Sequence, residues 1–204
     1  MTYDAFIDVQ VGARNDIGFF AKAVSKNSPI RATHYICIER GKAGQLIGIA
    51  IDGVRAHIVD PLPDVYDMSP GLWRVLKSDK KDTWIARLSN TDAEDVRYPE
   101  KILENIMPKD KPLHESYFNG FNFKQSNFEH AALLSLFRGF PTATVINMKY
   151  LADLGCISHC LDPDPANSWG VLWYGANKPV VFLWGAYTAV IMPMKINLSR
   201  GVTK

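Results

Sequence analysis

The stretch "GQLIGIAIDGVRAHIV", residues 44–59, decides how this chain is read. Two runs of β-branched and small apolar residues flank Asp52-Gly53. An aspartate followed by glycine suits a tight turn, because the carboxylate accepts nearby backbone N–H groups and glycine tolerates positive φ. The stretch therefore reads as strand, turn, strand. To its left, "THYICIER" (33–40) is another β-rich run, linked through "GKAG" (41–44) as a hairpin. To its right, "VRAHIVDPLP" (54–63) ends in prolines, which cannot donate to a sheet ladder.

Farther out the same layout recurs. Upstream, "RNDIGFFAKAVSKN" (14–27) carries an apolar stripe of Ile17, Phe19, Phe20, Ala23 and Val24, as an amphipathic helix would, with Asn15 or Asp16 as its cap. Downstream, "SPGLWRVLKSDKK" (69–81) opens with a Ser-Pro helix start and places Leu72, Trp73, Val75 and Leu76 at helical spacing, which predicts a helix. "DTWIARLSN" (82–90) predicts a strand. The proline-punctuated "VRYPEKILENIMPKDKP" (96–112) ends in a lysine-rich stretch, so a domain boundary is expected at about Pro108 to Leu113. In the second half, "NFEHAALLSLFRG" (127–139) and "MKYLADLG" (148–155) predict helices, and "WGVLWYG", "KPVVFLWG" and "AYTAVIMPMKI" (169–196) predict three strands with glycine turns. A helix followed by antiparallel strands thus repeats, without any repeat of the sequence itself.

Composition narrows the function classes. With 204 residues, 47% hydrophobic and 22% charged, the chain can bury roughly 70% of its unfolded surface as an ordinary globular protein. No apolar stretch reaches the roughly 20 residues that span a bilayer, and the first twenty residues lack a secretory pattern, so the expected compartment is the cytoplasm. The three cysteines make an odd count and are expected as reduced thiols. "CISHC" groups Cys156, His159 and Cys160, but no second Cys/His pair with matching spacing completes a zinc site, so no metal is expected. Asp52, Arg55, His57 and Asp60 lie close in sequence, yet the aspartates are as well explained as turn formers. No phosphate loop or nucleophile elbow is present, and no enzymatic activity or cofactor is expected. A net charge of only +2 means that any nucleic-acid binding must come from charge segregated onto one face.

Three stretches in order give the chain a family resemblance. Gly44 to Val59, Arg97 to Lys109 ("RYPEKILENIMPK"), and the final part with "INMKYLADLG", "KPVVF" and Met192-Pro193-Met194 together resemble the bacterial type of DNA sliding clamp, the β subunit of the replicative polymerase. With "YTAVIMPMKI" (187–196) included in the third stretch, the resemblance is best over Ala21 to Pro63 and Val145 to Ile196. The chain departs from the family's pattern with Val54 in place of histidine, Lys195 in place of arginine, and Asn197 to Lys204 beyond the family's usual end. The proline segment is also about two residues longer. The family has three domains per chain, whereas this chain has room for two.

The resemblance implies an α+β fold of clamp-like domains, helices packed on one face of antiparallel sheets, with one domain over 1–110 and a shortened one over 111–204. It implies a processivity factor whose ring encircles double-stranded DNA without reading its sequence. Two domains per chain then suggest a head-to-tail homotrimer. The DNA-facing candidates are basic residues on the predicted helices: Arg14, Lys22, Lys26, Arg74, Lys77, Lys80, Lys81, Lys124 and Arg138; the alternative for each is a solvated surface charge. The resemblance also implies a groove where a polymerase, a clamp loader or other clamp-binding proteins dock an apolar peptide. Its residues would be Ile51, Gly53, Val54, Arg55 and Ala56 from the turn, Pro99 and Met107 from the proline segment, and Val190, Ile191, Met192, Pro193, Met194 and Lys195 from the end. The alternative is that Val190 and Met192 are core. For the whole chain, the alternative is a clamp mimic from a phage or mobile element that binds clamp partners without forming a ring.

Overall fold

A computed structural model describes residues 1–9, 14–25, 28–64, 67–79, 82–96, 102–118, 146–159 and 169–194. Ten strands are described: β1 Tyr3–Asp8, β2 Ile36–Arg40, β3 Leu46–Ile51, β4 Arg55–Val59, β5 Gly71–Ser78, β6 Thr83–Leu88, β7 His114–Phe118, β8 Trp169–Trp173, β9 Val180–Trp184 and β10 Tyr187–Ile191. The helices are α1 Arg14–Lys22, α2 Asn90–Glu94, α3 Ile102–Ile106 and α4 Met148–Asp153, with 3₁₀ turns at Arg31–His34 and Leu154–His159.

All ten strands form one sheet in the order β1-β6-β5-β2-β3-β4-β10-β9-β8-β7. Every pairing is antiparallel. The order is nearly symmetric about the β4–β10 seam, where Val59 faces Tyr187 and Arg55 faces Ile191. On one side β10, β9, β8 and β7 follow outward from the seam; on the other, the β5–β6 hairpin is inserted between β1 and β2. The segment expected as a boundary, Pro108 to Leu113, connects α3 to β7, while the sheet itself runs unbroken through the seam.

Residues at alternate positions of each strand reach opposite faces, and around the β4–β10 seam both faces are covered. On one face Ile36, Ile38, Ala50, Val59, Trp73, Tyr187 and Ile191 pack with Ile17, Phe19 and Phe20 of α1, Leu151 of α4, and Leu154 and Ile157 beyond it. On the other, Ile47, Ile49, Ala56, Ile58, Val181 and Val190 pack with Ile106 and Met107 at the end of α3. Two-sided burial explains why 46–51 reads as a continuous apolar run rather than an alternating one. Gly48 leaves room for α1: a Cβ there would lie 2.4 Å from Cζ of Phe20.

Two expectations are corrected. Residues 71–78 form strand β5, not a helix. Apolar residues at 72, 73, 75 and 76 fit a helical stripe, but a strand also accepts them: Leu72 and Trp73 are buried in different clusters, Val75 is half-buried and Leu76 is exposed. The ladders decide it: Ile36 of β2 and Arg87 of β6 flank Trp73. The Ser-Pro pair serves the strand instead, with Ser69 accepting hydrogen bonds from Trp73 Nε1 at 2.9 Å and Arg87 Nη1 at 2.8 Å. Secondly, α1 begins at Arg14, so Asp16 lies within its first turn and not at the cap. Asp16 is fully buried and accepts a hydrogen bond from the Tyr187 hydroxyl at 3.0 Å, fastening the helix to the seam strand.

The outermost strands β1 and β7 were not anticipated. The predicted helix over 127–139 lies outside the described residues. The helix at 148 is present and is capped by Asn147, whose side chain accepts from Lys149 N.

Candidate functional site

The β3–β4 turn is held by its own aspartate. Asp52 Oδ1 accepts from Val54 N at 3.1 Å and Arg55 N at 3.0 Å, and Gly53 adopts φ +93°, a conformation that glycine alone takes without strain. The end of β10 is tied to this turn through Met192 N, which donates to Val54 O at 2.8 Å. Between them lies a hollow of about 230 Å³ on the face of the sheet opposite α1 and α4. Ala56 and Val190, both nearly fully buried, lie at its floor; Val54 and Met192, each more than two-fifths exposed, stand at its rim.

Of the groove candidates, the structure brings Ile51, Gly53, Val54, Arg55, Ala56, Val190 and Met192 around this one hollow. Met107 packs with the apolar cluster of the same face. Pro193 and the exposed Met194 follow Met192 directly. Pro99 and Lys195 lie outside the described residues. Ile191 is corrected: it is fully buried on the helix side, as alternation along β10 requires once Val190 faces the hollow. Asn105 and Ile106 also line the hollow and were missed, because the longer proline segment hid which residues of α3 would meet the turn.

Arg55 borders the hollow, but its guanidinium is turned to the other side. Nε pairs with Asp52 Oδ2 at 2.8 Å and Nη1 with Asp153 Oδ2 of α4 at 2.6 Å, and Nη2 donates to the Lys22 carbonyl at the end of α1. The guanidinium carbon sits 4.4 Å from the Tyr150 ring centroid, a cation–π contact. Lys22 Nζ reaches the same Asp153 carboxylate at Oδ1, 3.2 Å away. Burial alone would raise the Asp153 carboxyl, but hydrogen bonds from Arg55 and Lys22 outweigh it and hold the group below the ordinary carboxylate range. One arginine therefore joins the turn to both helices.

The basic candidates converge in part. Lys22, Arg74 and Lys77 line a second hollow of about 540 Å³ between α1 and β5, together with His34. Arg74 and Lys77 come from a strand and not from a helix, a consequence of the corrected β5. Their charges are already engaged: Lys77 lies 2.7 Å from Asp82 and 3.2 Å from Asp79, and Arg74 Nη1 donates to the Tyr3 hydroxyl at 3.2 Å. Arg14 belongs to the first turn of α1. Lys26, Lys80, Lys81, Lys124 and Arg138 lie outside the described residues.

The residues weighed for acid–base chemistry do not converge on one centre. His57 is fully buried, stacked on Phe19 with ring centroids 4.2 Å apart, and its Nδ1 lies 2.5 Å from the Phe19 carbonyl. Burial pushes its pKa down to about 3, which leaves it a neutral core residue at ordinary pH. Asp52 holds the turn, and Asp60 accepts from Gln45 Nε2 at 3.1 Å. The thiols of Cys37 and Cys156 are each pushed up to about 12, chiefly by burial. Cys156 Sγ donates to the Asp153 carbonyl, and Cys160 lies outside the described residues. Among the described residues, no three His, Cys, Asp or Glu side chains are placed to hold a metal ion, and no helix is long and apolar enough to cross a membrane.

A continuous antiparallel sheet with α1 and α4 on one face is the fold of the sliding clamps. Solved structures to which the chain is similar include bacterial clamps. The DNA polymerase III subunit beta of Borrelia burgdorferi aligns with a TM-score of 0.54 and 11% identity, over 96% of this chain and 65% of that one. The Pseudomonas aeruginosa DNA polymerase sliding clamp gives 0.56 and 11%, over 96% and 67%. The Helicobacter pylori beta clamp bound to a DNA ligase peptide gives 0.53 and 13%, over 96% and 67%. The chain thus spans about two thirds of the length of these clamps. No protein-family model and no curated protein matches the sequence.

Proposed function

We propose that this protein is a DNA sliding clamp, a non-enzymatic processivity factor that holds partner proteins by short apolar peptides. The observation that carries this reading is the hollow at the β4–β10 seam. Three segments far apart in sequence, the Asp52–Val54 turn, α3 and the end of β10, meet there to make an apolar depression with a methionine at its rim. Methionine suits such a surface because its flexible, polarizable side chain repacks around different partners. The hollow is small and apolar and lies beside strands that are already paired, so it fits side chains of an extended peptide and not an added strand. Replicative polymerase, clamp loader and repair proteins are the partner class.

Double-stranded DNA would lie on the face carrying α1, where the half-exposed Lys22 lines the hollow between α1 and β5. Phosphate contacts of this kind carry no base readout and exchange along the backbone, which sliding requires. Two clamp-like units, 1–110 and 111–204, would supply two of six positions around the duplex. Among the described residues β1 and β7 end the sheet, and their edges would join copies head to tail to close a trimer.

The test has two arms. Val54→Ala combined with Met192→Ala weakens binding of the DNA ligase peptide about tenfold, equivalent to ~1.4 kcal/mol; fluorescence anisotropy reads it, and unchanged affinity removes the groove assignment. Light scattering at micromolar concentration gives three times the 22.9 kDa chain mass, with retention on nicked circular DNA that is lost on linearisation. A strict monomer removes the ring and leaves a peptide-binding clamp mimic.

A further inference from the structure

The turn that walls the outer hollow and the lysine in the helix-side hollow share one carboxylate. Asp153 gives Oδ1 to Lys22 at 3.2 Å and Oδ2 to Arg55 at 2.6 Å. The two cations differ sharply in access. The Lys22 side chain is 50% exposed and that of Arg55 is 8% exposed, so an arriving anion can take Lys22 but not Arg55. Beyond Arg55 the connection is continuous. Its Nε grips Asp52 Oδ2; Asp52 Oδ1 holds the Val54 and Arg55 amides; and Val54 O holds the Met192 amide at the rim.

We infer that Arg55 is a positioning residue coupling the two surfaces: polyanion binding at Lys22 tightens the groove wall and raises affinity for the peptide. The inference rests on the proposed clamp reading for its two ligands. The physical step is competition for a single acceptor. When a phosphate draws Lys22 away, Asp153 is left to Arg55 alone, and the Arg55–Asp153 pair strengthens because no second cation shares the carboxylate. A firmer Arg55 holds the Asp52–Val54 turn in place before the peptide arrives, which removes part of the ordering cost of binding. Linkage makes the effect reciprocal, so the peptide raises DNA affinity by the same factor.

The experiment separates this inference from the clamp reading. Amide hydrogen exchange is measured first without ligand at Val54, Arg55 and Met192. Asp153→Asn speeds exchange at these amides, and Lys22→Met, which mimics withdrawal of the lysine, slows it; β8 and β9 amides are unaffected. A merely structural role for the network would not move the two variants in opposite directions. Anisotropy titration of the DNA ligase peptide then gives a Kd about fivefold lower with saturating duplex DNA than without it, a typical allosteric factor. In Lys22→Met that ratio falls to about one.

Exchange that is the same in both variants and in the unaltered protein overturns the inference. So does a peptide Kd unaffected by duplex in a chain that binds both ligands, although the clamp reading then stands. Failure to bind either ligand, with the exchange pattern as expected, overturns the clamp reading and leaves the Asp153-to-turn coupling standing.

Discussion

Arg55→Ala is expected to destabilise the fold by about 3–5 kcal/mol, because it strips the shared partner from two largely buried carboxylates at once. Asp52 and Asp153 are only 13% and 11% exposed, so neither recovers full hydration when the guanidinium is gone. The Lys22 carbonyl loses its donor and Tyr150 its cation in the same step. Arg55→Lys retains the charge but cannot reach Asp52, Asp153 and the Lys22 carbonyl together, so it recovers only part of the loss. Urea unfolding followed by circular dichroism measures both variants. A loss below about 1 kcal/mol for the alanine variant would place this arginine with ordinary surface ion pairs.

The second large effect is acid sensitivity from His57. Its folded pKa of about 3 lies well below the ordinary value of 6.5, since full burial disfavours the charged form. Above pH 6.5 both folded and unfolded chains hold this ring neutral, and it contributes no pH dependence. Below that value the unfolded chain takes up a proton that the folded site refuses. Stability therefore falls by about 1.4 kcal/mol per pH unit as the pH drops towards the folded pKa. Asp153 adds its own loss only at lower pH: Arg55 and Lys22 depress its folded pKa, so its contribution is complete well above the ordinary value of 3.8 and is lost as the pH falls below it. His57→Phe keeps the stack on Phe19 and loses the bond to its carbonyl, so it is less stable than the natural chain at neutral pH. The difference shrinks on acidification and the two curves converge or cross; unfolding free energies that run parallel from pH 7 to pH 5 would count against a neutral buried histidine.

How much of this was legible follows from which periods a sequence can display. The hairpin around 44–59 was readable because its turn chemistry is local: Asp52 and Gly53 encode the geometry with their own atoms. The last three strands were readable from β-rich runs separated by glycine turns. β5 was not, since its apolar residues at 72, 73, 75 and 76 do not alternate and match a helical stripe by accident, although only Leu72 and Trp73 are buried. β1 and β7, at the ends of the sheet, escaped for a related reason. They pair with strands far away in sequence, β1 with β6 and β7 with β8, and nothing local announces the partner.

The site divides in the same way. The sequence by itself determined the turn, the apolar end of β10 and the presence of basic residues near α1, because each lies within a short continuous stretch. Only the tertiary structure decided that the turn and β10 are neighbours, through the β4–β10 ladder, and that Asn105 and Ile106 complete their hollow. It also decided that Ile191 faces the core and that the Arg55 guanidinium crosses to the helices, while Val54 and Met192 remain at the rim. The reason is geometric. Alternation along a strand can be written in sequence, but which face is covered, and by what, depends on the segments that long-range pairing brings across it.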